Sequence, residues 1–291
     1  MPQDHSIWSF CYARGRIPAD FMGGCPICSN QGLVENPMVY SLVASEPAKS
    51  ADRRILVDTG FKTGRSMTGA TFDDFEQPPA ILAKVGLRPE DVDTVVLTHL
   101  HFDHAGNFDA FPKARVLVQR VEYERWKEVI ARIPDTSAGK QNWMLSSLDL
   151  EVFTRFDRAI AEGRVTFLEG DEEIAPGIWC RLAADTHTFG SQYVEVATAA
   201  GPHVVAGDCV YWYANIERMW PPGYVQGNPW NLLRTYERLR ALVGSDHLDR
   251  IVPGHDMETF RRHKSWRAGL NPVAEIYLAR AETTRAPEAA S

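Results

Sequence analysis

Three histidines and an aspartate fall within six positions of the chain: His99, His101, Asp103 and His104. Imidazole nitrogens and carboxylate oxygens are the ligands that suit zinc and its first-row neighbours. Because side chains alternate along an extended segment, His99 and His101 point the same way, and the other two follow one turn later. The whole chain has only nine histidines, so their density here indicates a metal site rather than a polar loop. The pattern predicts two neighbouring groups of ligands, one for each of two metal ions.

A strand and a helix are expected to hold these side chains in place. Residues 94–97 form a β-branched, apolar run, which is typical of a strand buried on both faces. Beyond the last histidine the chain can curl into a helix that begins near Ala105. The ligands would then follow directly on the end of a buried strand.

The order His99-x-His101-x-Asp103-His104 resembles the signature of the metallo-β-lactamase superfamily. Residues 97–106 are most similar to its N-acyl-homoserine lactonase branch, and the resemblance extends over roughly residues 38–255. It includes the strand and turn at residues 57–60 and the loops that contain His187, Asp208 and His255. The sequence departs from the family at Phe189, where many relatives carry proline, and in its long N-terminal segment.

The resemblance implies a role for each of these residues. It implies a first metal held by three histidines, a second held by one aspartate and two histidines, and an aspartate that bridges the two. The first set is His99, His101 and His187, the second is Asp103, His104 and His255, and the bridge is Asp208. Both ions are expected to be Zn²⁺, and other divalent first-row metals suit the same ligands. The implied nucleophile is a hydroxide held between the metals.

Tyr211 narrows the choice within the superfamily. It follows Asp208 by three positions, and in homoserine lactonases a tyrosine at this spacing points at the substrate carbonyl. The resemblance therefore implies that Tyr211 donates to the oxyanion and that Asp103 passes a proton to the leaving alkoxide. The other interpretation is that Tyr211 is one of several pocket or core aromatics. The implied reaction is the hydrolytic opening of a lactone, a cyclic ester, to a hydroxy acid.

Three alternative functions stay open at this point. The same ligands would serve a thioesterase of the hydroxyacylglutathione hydrolase type, or a hydrolase of cyclic amides. A metal-binding or redox protein on the same scaffold is the alternative outside hydrolysis. Diiron members of the superfamily usually carry a glutamate at the second ligand position, so His101 argues against that reading.

The resemblance implies an α/β fold, the αββα sandwich of the metallo-β-lactamase superfamily. Apolar and β-branched runs predict strands at residues 38–44, 54–57, 94–97, 114–118, 165–168, 178–182, 193–197, 203–206 and 250–252. Helical periodicity and capping residues predict helices at residues 79–85, 122–130, 146–162 and 229–243. The helix at 146–162 falls between the two halves of the fold and is interpreted either as a lid or dimer element or as a plain packing helix.

The chain is divided into three parts on composition alone. Residues 1–36 are rich in glycine, proline, cysteine and aromatics and are interpreted as an irregular arm that packs on the body. Residues 37–280 contain no linker and are expected to form a single domain, and residues 281–291 are expected to be a disordered tail. Cys25 and Cys28 form a lone CxxC pair without a second pair, so a structural or incidental role is favoured over a redox one.

An aromatic-rich segment follows the proposed bridging aspartate. Its large side chains are Tyr211, Trp212, Tyr213, Trp220, Tyr224 and Trp230. Pockets for small molecules are usually apolar walls with a few polar groups, so one interpretation of this segment is a wall for a hydrophobic substrate. The other is that these rings fill the core or form a dimer contact. Trp8 and Phe10 of the N-terminal arm are expected to close over the same mouth.

Charge and hydropathy limit the other partners. The formal charge is −7, from 31 basic and 38 acidic residues, and no dense basic run occurs, which argues against nucleic acid and anionic membranes. No apolar run approaches the ~20 residues needed to cross a bilayer. The first ten residues lack the features of a signal peptide, so we expect a cytoplasmic protein. The expected partner is a small molecule, and a homodimer is a further option.

Overall fold

Two β-sheets pack face to face in the computed structural model, and helices cover the outer side of each sheet. The structure describes residues 4–23, 32–45, 54–67, 69–133 and 142–279. The strands are β1 His5–Pro18, β2 Leu33–Ser45, β3 Arg54–Val57, β4 Thr94–Val96, β5 Arg115–Gln119, β6 Val165–Leu168, β7 Glu172–Ala175, β8 Ile178–Leu182, β9 Gln192–Val196, β10 His203–Gly207, β11 Ile251–Pro253, β12 Lys264–Ala268 and β13 Asn271–Tyr277. The α-helices are α1 Ala19–Met22, α2 Pro78–Lys84, α3 Phe102–Ala105, α4 Arg120–Arg132, α5 Leu150–Ala161, α6 Tyr213–Glu217, α7 Pro229–Val243 and α8 Thr259–Arg262.

The larger sheet has the strand order β12-β13-β1-β2-β3-β4-β5-β6, and the smaller sheet has the order β11-β10-β9-β8-β7. Strands β3 to β6 run parallel to one another, whereas β1, β2, β12 and β13 pair antiparallel. In the smaller sheet only the β10 and β11 pair is parallel among the described strands. The parallel strands β3 and β4 therefore end at the same edge, where the histidine-rich segment begins.

Three apolar clusters fill the spaces between the layers. One lies between the larger sheet and helices α2, α4 and α5, with Trp126 and Phe156 among its fully buried side chains. A second lies between the two sheets and is built mainly of valine and isoleucine. The third lies between the smaller sheet and α7 and contains Leu232 and Tyr236. The α/β class and the αββα layering predicted from the sequence are confirmed.

The prediction of an irregular arm at residues 1–36 is wrong for the part that the structure describes. Strand β1 spans His5–Pro18 and is hydrogen-bonded to β13 on one side and to β2 on the other. Its side chains alternate between two cores, since Trp8 and Phe10 enter the helix-covered cluster and Ile7 enters the cluster between the sheets. Because both faces are buried, the strand lacks the alternation of apolar and polar residues by which a half-buried strand is recognised.

The remaining secondary-structure predictions overlap observed elements, with one exception. The helix expected to begin near Ala105 instead ends there, because α3 starts at Phe102 and so carries Asp103 and His104. Helix α5 buries Val152, Phe156 and neighbouring side chains in the core, which favours the interpretation as a packing helix. Strands β7, β12 and β13 have no counterpart among the predicted strands. Cys25, Cys28 and the tail 281–291 lie outside the described residues.

Candidate metal centre

All seven side chains that the sequence singles out as metal ligands meet at the ends of the strands. They form two groups whose ligand atoms lie within 4.8 Å of one another in each group. The first group is His99, His101, His187 and Asp208, and the second is Asp103, His104 and His255. Every one of them is buried. The fold therefore brings the seven side chains together in two adjacent groups.

The first group joins two distant loops. His99 and His101 follow β4, and His187 lies in the loop between β8 and β9. His187 Nε2 lies 3.0 Å from His101 Nδ1 and 3.2 Å from Asp208 Oδ2. Nitrogens of neutral imidazoles this close to each other are suited to share one cation.

The second group is centred on the other oxygen of the Asp208 carboxylate. Asp208 Oδ1 lies 3.2 Å from His104 Nε2 and 3.1 Å from His255 Nε2. Asp103 Oδ2 lies 3.6 Å from each of the same two nitrogens. One carboxylate thus faces both groups, as a bridging ligand would.

Two glycines allow close packing around Asp208. Gly207 directly precedes it with a φ of 50°, and a Cβ there would lie 2.7 Å from the Thr98 hydroxyl. A Cβ at Gly254 would lie 2.5 Å from Asp208 Oδ1 itself. Real Cβ atoms do not approach other atoms so closely, so both positions require glycine for steric reasons.

Three buried polar atoms of these groups make no well-aligned hydrogen bond, although two of them lie 3.2 Å apart: His99 Nε2, and the facing pair His104 Nε2 and Asp208 Oδ1. A buried polar atom without a partner costs roughly 1–3 kcal/mol. All three belong to the two groups, and all are atoms with which a cation can be coordinated. The donor set of imidazoles and carboxylates fits divalent zinc, and coordination to a cation would satisfy these three atoms.

The far sides of the histidine rings are held by other residues. Asp58 Oδ2 lies 2.8 Å from His104 Nδ1, and the Asp58 carboxylate also accepts from the backbone and hydroxyl of Thr98. Asp58 adopts a φ of 66°, a conformation that is strained for a residue with a Cβ. Gln226 Oε1 lies 2.5 Å from His101 Nε2, and the Pro37 carbonyl lies 2.9 Å from His255 Nδ1. Such partners orient metal-binding imidazoles.

Sequence reasoning did not assign roles to Asp58 and Gln226. Asp58 lies in the turn at residues 57–60, and nothing in the sequence indicates that it adopts a left-handed conformation there. Gln226 reaches the centre from the loop before α7, and nothing in its neighbourhood marks it as polar support for a ligand. Both roles depend on contacts between residues that are far apart in the chain.

The charges of the centre favour neutral histidines in the first group. Burial lowers the pKa of His101 to about 4 and that of His187 to about 3, and it holds the pKa of His99 well below its usual range. Burial opposes the ionisation of Asp208, but His255 and His104 hold the pKa of that carboxyl well below its usual range. Neutral imidazole beside an ionised carboxylate is the state in which these groups bind metals.

Tyr211 reaches the centre from the far side of His187. Its hydroxyl lies 3.1 Å from His187 Nδ1 and donates to the Tyr224 carbonyl at 3.3 Å. Burial raises the pKa of Tyr211 well above its usual range, so the hydroxyl keeps its proton. The phenol is 6% exposed and lies at the cavity beside the two groups.

A cavity of about 410 Å³ opens beside both groups. Asp103, Asp208, His101 and His255 line one part of it, together with Tyr211. The other lining is largely apolar and includes Phe21, Met22, Met38, Phe72 and Phe102. A small molecule with an apolar substituent would contact the candidate metal centre and this apolar surface at the same time.

The prediction that six aromatic residues form the substrate wall is only partly correct. Tyr211 and Tyr224 line the cavity, whereas Trp212, Tyr213, Trp220 and Trp230 do not. Trp212 instead donates its indole N–H to the His255 carbonyl at 3.0 Å. The expected closure by Trp8 and Phe10 is wrong, since both lie in the core of the larger sheet.

A later part of the N-terminal segment does reach the cavity. The ring of Phe21 stacks on the ring of Tyr224, with centroids 5.3 Å apart and an angle of 21° between their planes. Asn215 donates to the Met22 carbonyl at 2.6 Å and so joins α1 to α6. Helix α1 therefore forms part of the mouth, although different side chains from those predicted provide the contacts.

No helix among the residues described is long and apolar enough to cross a membrane.

Comparison with known sequences identifies the family of the chain. The sequence model of the Metallo-beta-lactamase superfamily matches residues 41–255. An N-acyl homoserine lactonase of a Bacillus species is 28% identical over 221 residues, which cover 71% of this chain and 78% of that protein. The N-acyl homoserine lactonase AiiA of Bacillus thuringiensis subsp. kurstaki is 27% identical over 218 residues, which cover 70% of this chain and 77% of that protein.

Solved structures share the fold over almost the whole chain. A quorum-quenching N-acyl homoserine lactone lactonase superposes with a TM-score of 0.68 at 23% identity, covering 90% of this chain and 96% of that one. The hydrolase AbOPH superposes with a TM-score of 0.67 at 20% identity, covering 96% of both chains. AidC, a dizinc quorum-quenching lactonase, superposes with a TM-score of 0.61 at 14% identity, covering 88% of both.

Proposed function

Because the chain belongs to the metallo-beta-lactamase superfamily, we propose that it is a dinuclear zinc-dependent hydrolase that opens a lactone ring. One observation carries the proposal: residues of both candidate ligand groups face one cavity whose remaining lining is largely apolar. A hydrolytic centre needs access to its substrate, and a lactone with an apolar substituent suits this surface. The curated relatives at 26–28% identity are N-acyl homoserine lactonases, which supports the same substrate class.

In this proposal each group holds one zinc ion. His99, His101 and His187 bind the first, and Asp103, His104 and His255 bind the second. Asp208 directs one carboxylate oxygen towards each group and offsets the repulsion between the two cations. When bound, two neighbouring divalent ions lower the pKa of a water molecule so that it is a nucleophile at neutral pH.

Asp103 and Tyr211 carry the proton chemistry of this proposal. The Asp103 backbone carbonyl accepts a hydrogen bond of 2.8 Å from the buried Tyr12 hydroxyl, which fixes the start of α3. The Asp103 carboxylate lines the cavity, where it is placed to take a proton from the attacking water and to pass it to the leaving alkoxide oxygen. The Tyr211 hydroxyl has one hydrogen to donate, and we propose that it turns from the Tyr224 carbonyl to the substrate carbonyl as negative charge develops there.

The test is a hydrolysis screen combined with elemental analysis. The zinc-loaded protein is incubated separately with three substrate classes: lactones with acyl substituents of increasing length, thioesters and cyclic amides. The products are identified and quantified by mass spectrometry. We expect ring opening of lactones with two zinc ions per chain, and loss of both metal and activity in Asp208→Ala. Faster turnover of thioesters or cyclic amides would replace the lactonase proposal by the corresponding hydrolase. A parent protein that binds a single ion would contradict the dinuclear centre.

A further inference from the structure

A buried glutamate outside the two ligand groups lies against both loops that supply the first one. Glu122 belongs to the first turn of α4, and its side chain is completely buried. It is a carboxylate that no step of the proposed reaction uses. A carboxylate in such a place needs strong compensation, because burying an ionised group is costly.

Four donors surround the Glu122 carboxylate, two for each oxygen. Oε1 accepts from the Leu100 backbone N–H at 3.0 Å and from the Trp126 indole N–H at 2.8 Å. Oε2 accepts from the Thr188 hydroxyl at 2.8 Å and from the Gly190 backbone N–H at 2.7 Å. Leu100 lies between His99 and His101, and Thr188 directly follows His187. One side chain therefore connects the two segments that carry the three histidines of the first group.

Two neighbouring hydroxyl groups extend the hydrogen-bond network of the Glu122 carboxyl group. The Thr188 backbone N–H donates to the Ser191 hydroxyl at 3.0 Å, and the two hydroxyls lie 2.7 Å apart. These contacts connect the loop of His187 to Glu122 through a side chain as well as through the backbone. Burial raises the pKa of Glu122, and the Gly190 and Leu100 N–H groups oppose that shift.

The Glu122 carboxyl group has no basic partner. Among the residues that the structure describes, no ion pair with lysine, arginine or histidine includes Glu122. The ring of Trp126, which donates to Glu122, lies with its centroid 6.1 Å from that of His101. The carboxylate is thus separated from the first ligand group by one residue of backbone on one side and by an aromatic ring on the other.

From this geometry we infer that Glu122 is a positioning residue for the first metal. It holds the segments of His99, His101 and His187 at a fixed separation. The inference rests on the metal binding proposed above. Residues that orient metal ligands typically change metal affinity by about 10–100-fold when they are replaced.

The experiment compares Glu122→Gln with Glu124→Gln, which makes the same change at an exposed position of the same helix. The zinc-loaded proteins are titrated with a chromophoric chelator, and the release of each ion is followed. In Glu122→Gln one of the two ions should be released about 10–100-fold more readily, and the other as in the parent. Glu124→Gln should release both ions as the parent does.

A second measurement separates positioning from a general structural role. Thermal unfolding of the zinc-loaded and zinc-free forms should show that Glu122→Gln reduces the gain in Tm that zinc provides, because weaker binding stabilises the folded state less. Equal losses of Tm in both forms, with unchanged zinc release, would overturn the inference. If Glu122→Gln does not fold, Thr188→Val removes one donor at nearly constant volume and should weaken the same ion by a smaller factor. Unchanged zinc release in Thr188→Val would then overturn it.

The outcome also separates this inference from the proposed function. A parent protein without bound metal would overturn both. Two ions in the parent together with unchanged affinity in Glu122→Gln would overturn the role of Glu122 alone.

Discussion

The hydroxyl oxygen of Tyr211 lies 3.1 Å from Nδ1 of His187. His187 directs its other nitrogen at Asp208 and His101, so Nδ1 carries the proton in the metal-binding tautomer and donates it to Tyr211. The hydrogen of the phenol is then free to be donated elsewhere. The same hydroxyl can therefore orient His187 and donate a hydrogen bond to the substrate carbonyl. These two roles make different predictions.

Tyr211→Phe distinguishes these roles. If the phenol donates to the developing oxyanion, kcat should fall by roughly 10–10³ while the zinc content stays at the level of the parent. The measurements are kcat on the best lactone and elemental analysis of the same preparation. A loss of zinc in proportion to the loss of activity would show that the main task of Tyr211 is to hold His187. An unchanged rate with full zinc would assign the ring to packing.

Gly254→Ala tests the steric requirement at the bridge. A Cβ at this position would lie 2.5 Å from Asp208 Oδ1 and 3.0 Å from the Gly207 carbonyl oxygen, so the carboxylate must move away from the second group. We expect the variant to fold but to bind zinc less tightly by about tenfold or more, the size of effect that misplaced ligands produce. Chelator competition measures this directly. Zinc affinity equal to that of the parent would show that the loop of His255 can shift without disturbing Asp208.

Phe21→Ala tests the apolar mouth of the cavity. Phe21 is 39% exposed and stacks on Tyr224, so removing it takes away part of the surface that a long acyl group would cover. Full burial of such a ring contributes ~1.5–3 kcal/mol, and we take about half of this because the ring stays partly exposed. The corresponding loss of kcat/KM is roughly 3–10-fold, and it is expected only for substrates with long acyl chains. Trp230→Ala is the control, since Trp230 is 65% exposed and does not line the cavity. Equal losses for short and long chains would remove Phe21 from substrate binding.

His203 gives a prediction for stability against pH that is independent of the metal centre. Burial lowers its pKa to about 4 from 6.5, so the folded state keeps the imidazole neutral where the unfolded state binds a proton. Its contribution is constant above pH 6.5, and the free energy of unfolding falls as the pH drops from 6.5 towards 4, by roughly 3 kcal/mol in total. His203→Gln should therefore flatten the parent's curve in this range. Urea unfolding at a series of pH values measures the difference, and parallel curves for both proteins would contradict it.

The sequence predicts some parts of the centre better than others because their signals differ in range. His99, His101, Asp103 and His104 lie within six positions and identify themselves by residue type. His187, Asp208 and His255 are assigned only through the resemblance to a family, since a single histidine or aspartate in a loop carries little information. The match of that family's sequence model over residues 41–255 confirms the resemblance itself.

The supporting residues could not be predicted in this way. Glu122 accepts from Leu100, 22 positions earlier, and from Gly190, 68 positions later, so its role exists only once the chain has folded. Strand β1 was missed for a related reason. Its two faces enter different cores, and this removes the periodic pattern on which the prediction of a strand relies.

The neighbours of β1 in the larger sheet have a consequence for how the protein is made. β1 pairs with β2 soon after both are synthesised, but its other neighbour, β13, is near the opposite end of the described chain. During translation the edge of β1 that later pairs with β13 has unpaired N–H and C=O groups. Unpaired strand edges are prone to pair with other chains. Assembly of this sheet is therefore completed only after release of residues 271–277 from the ribosome. Until then the unpaired edge of β1 is a site at which the nascent chain is prone to aggregate.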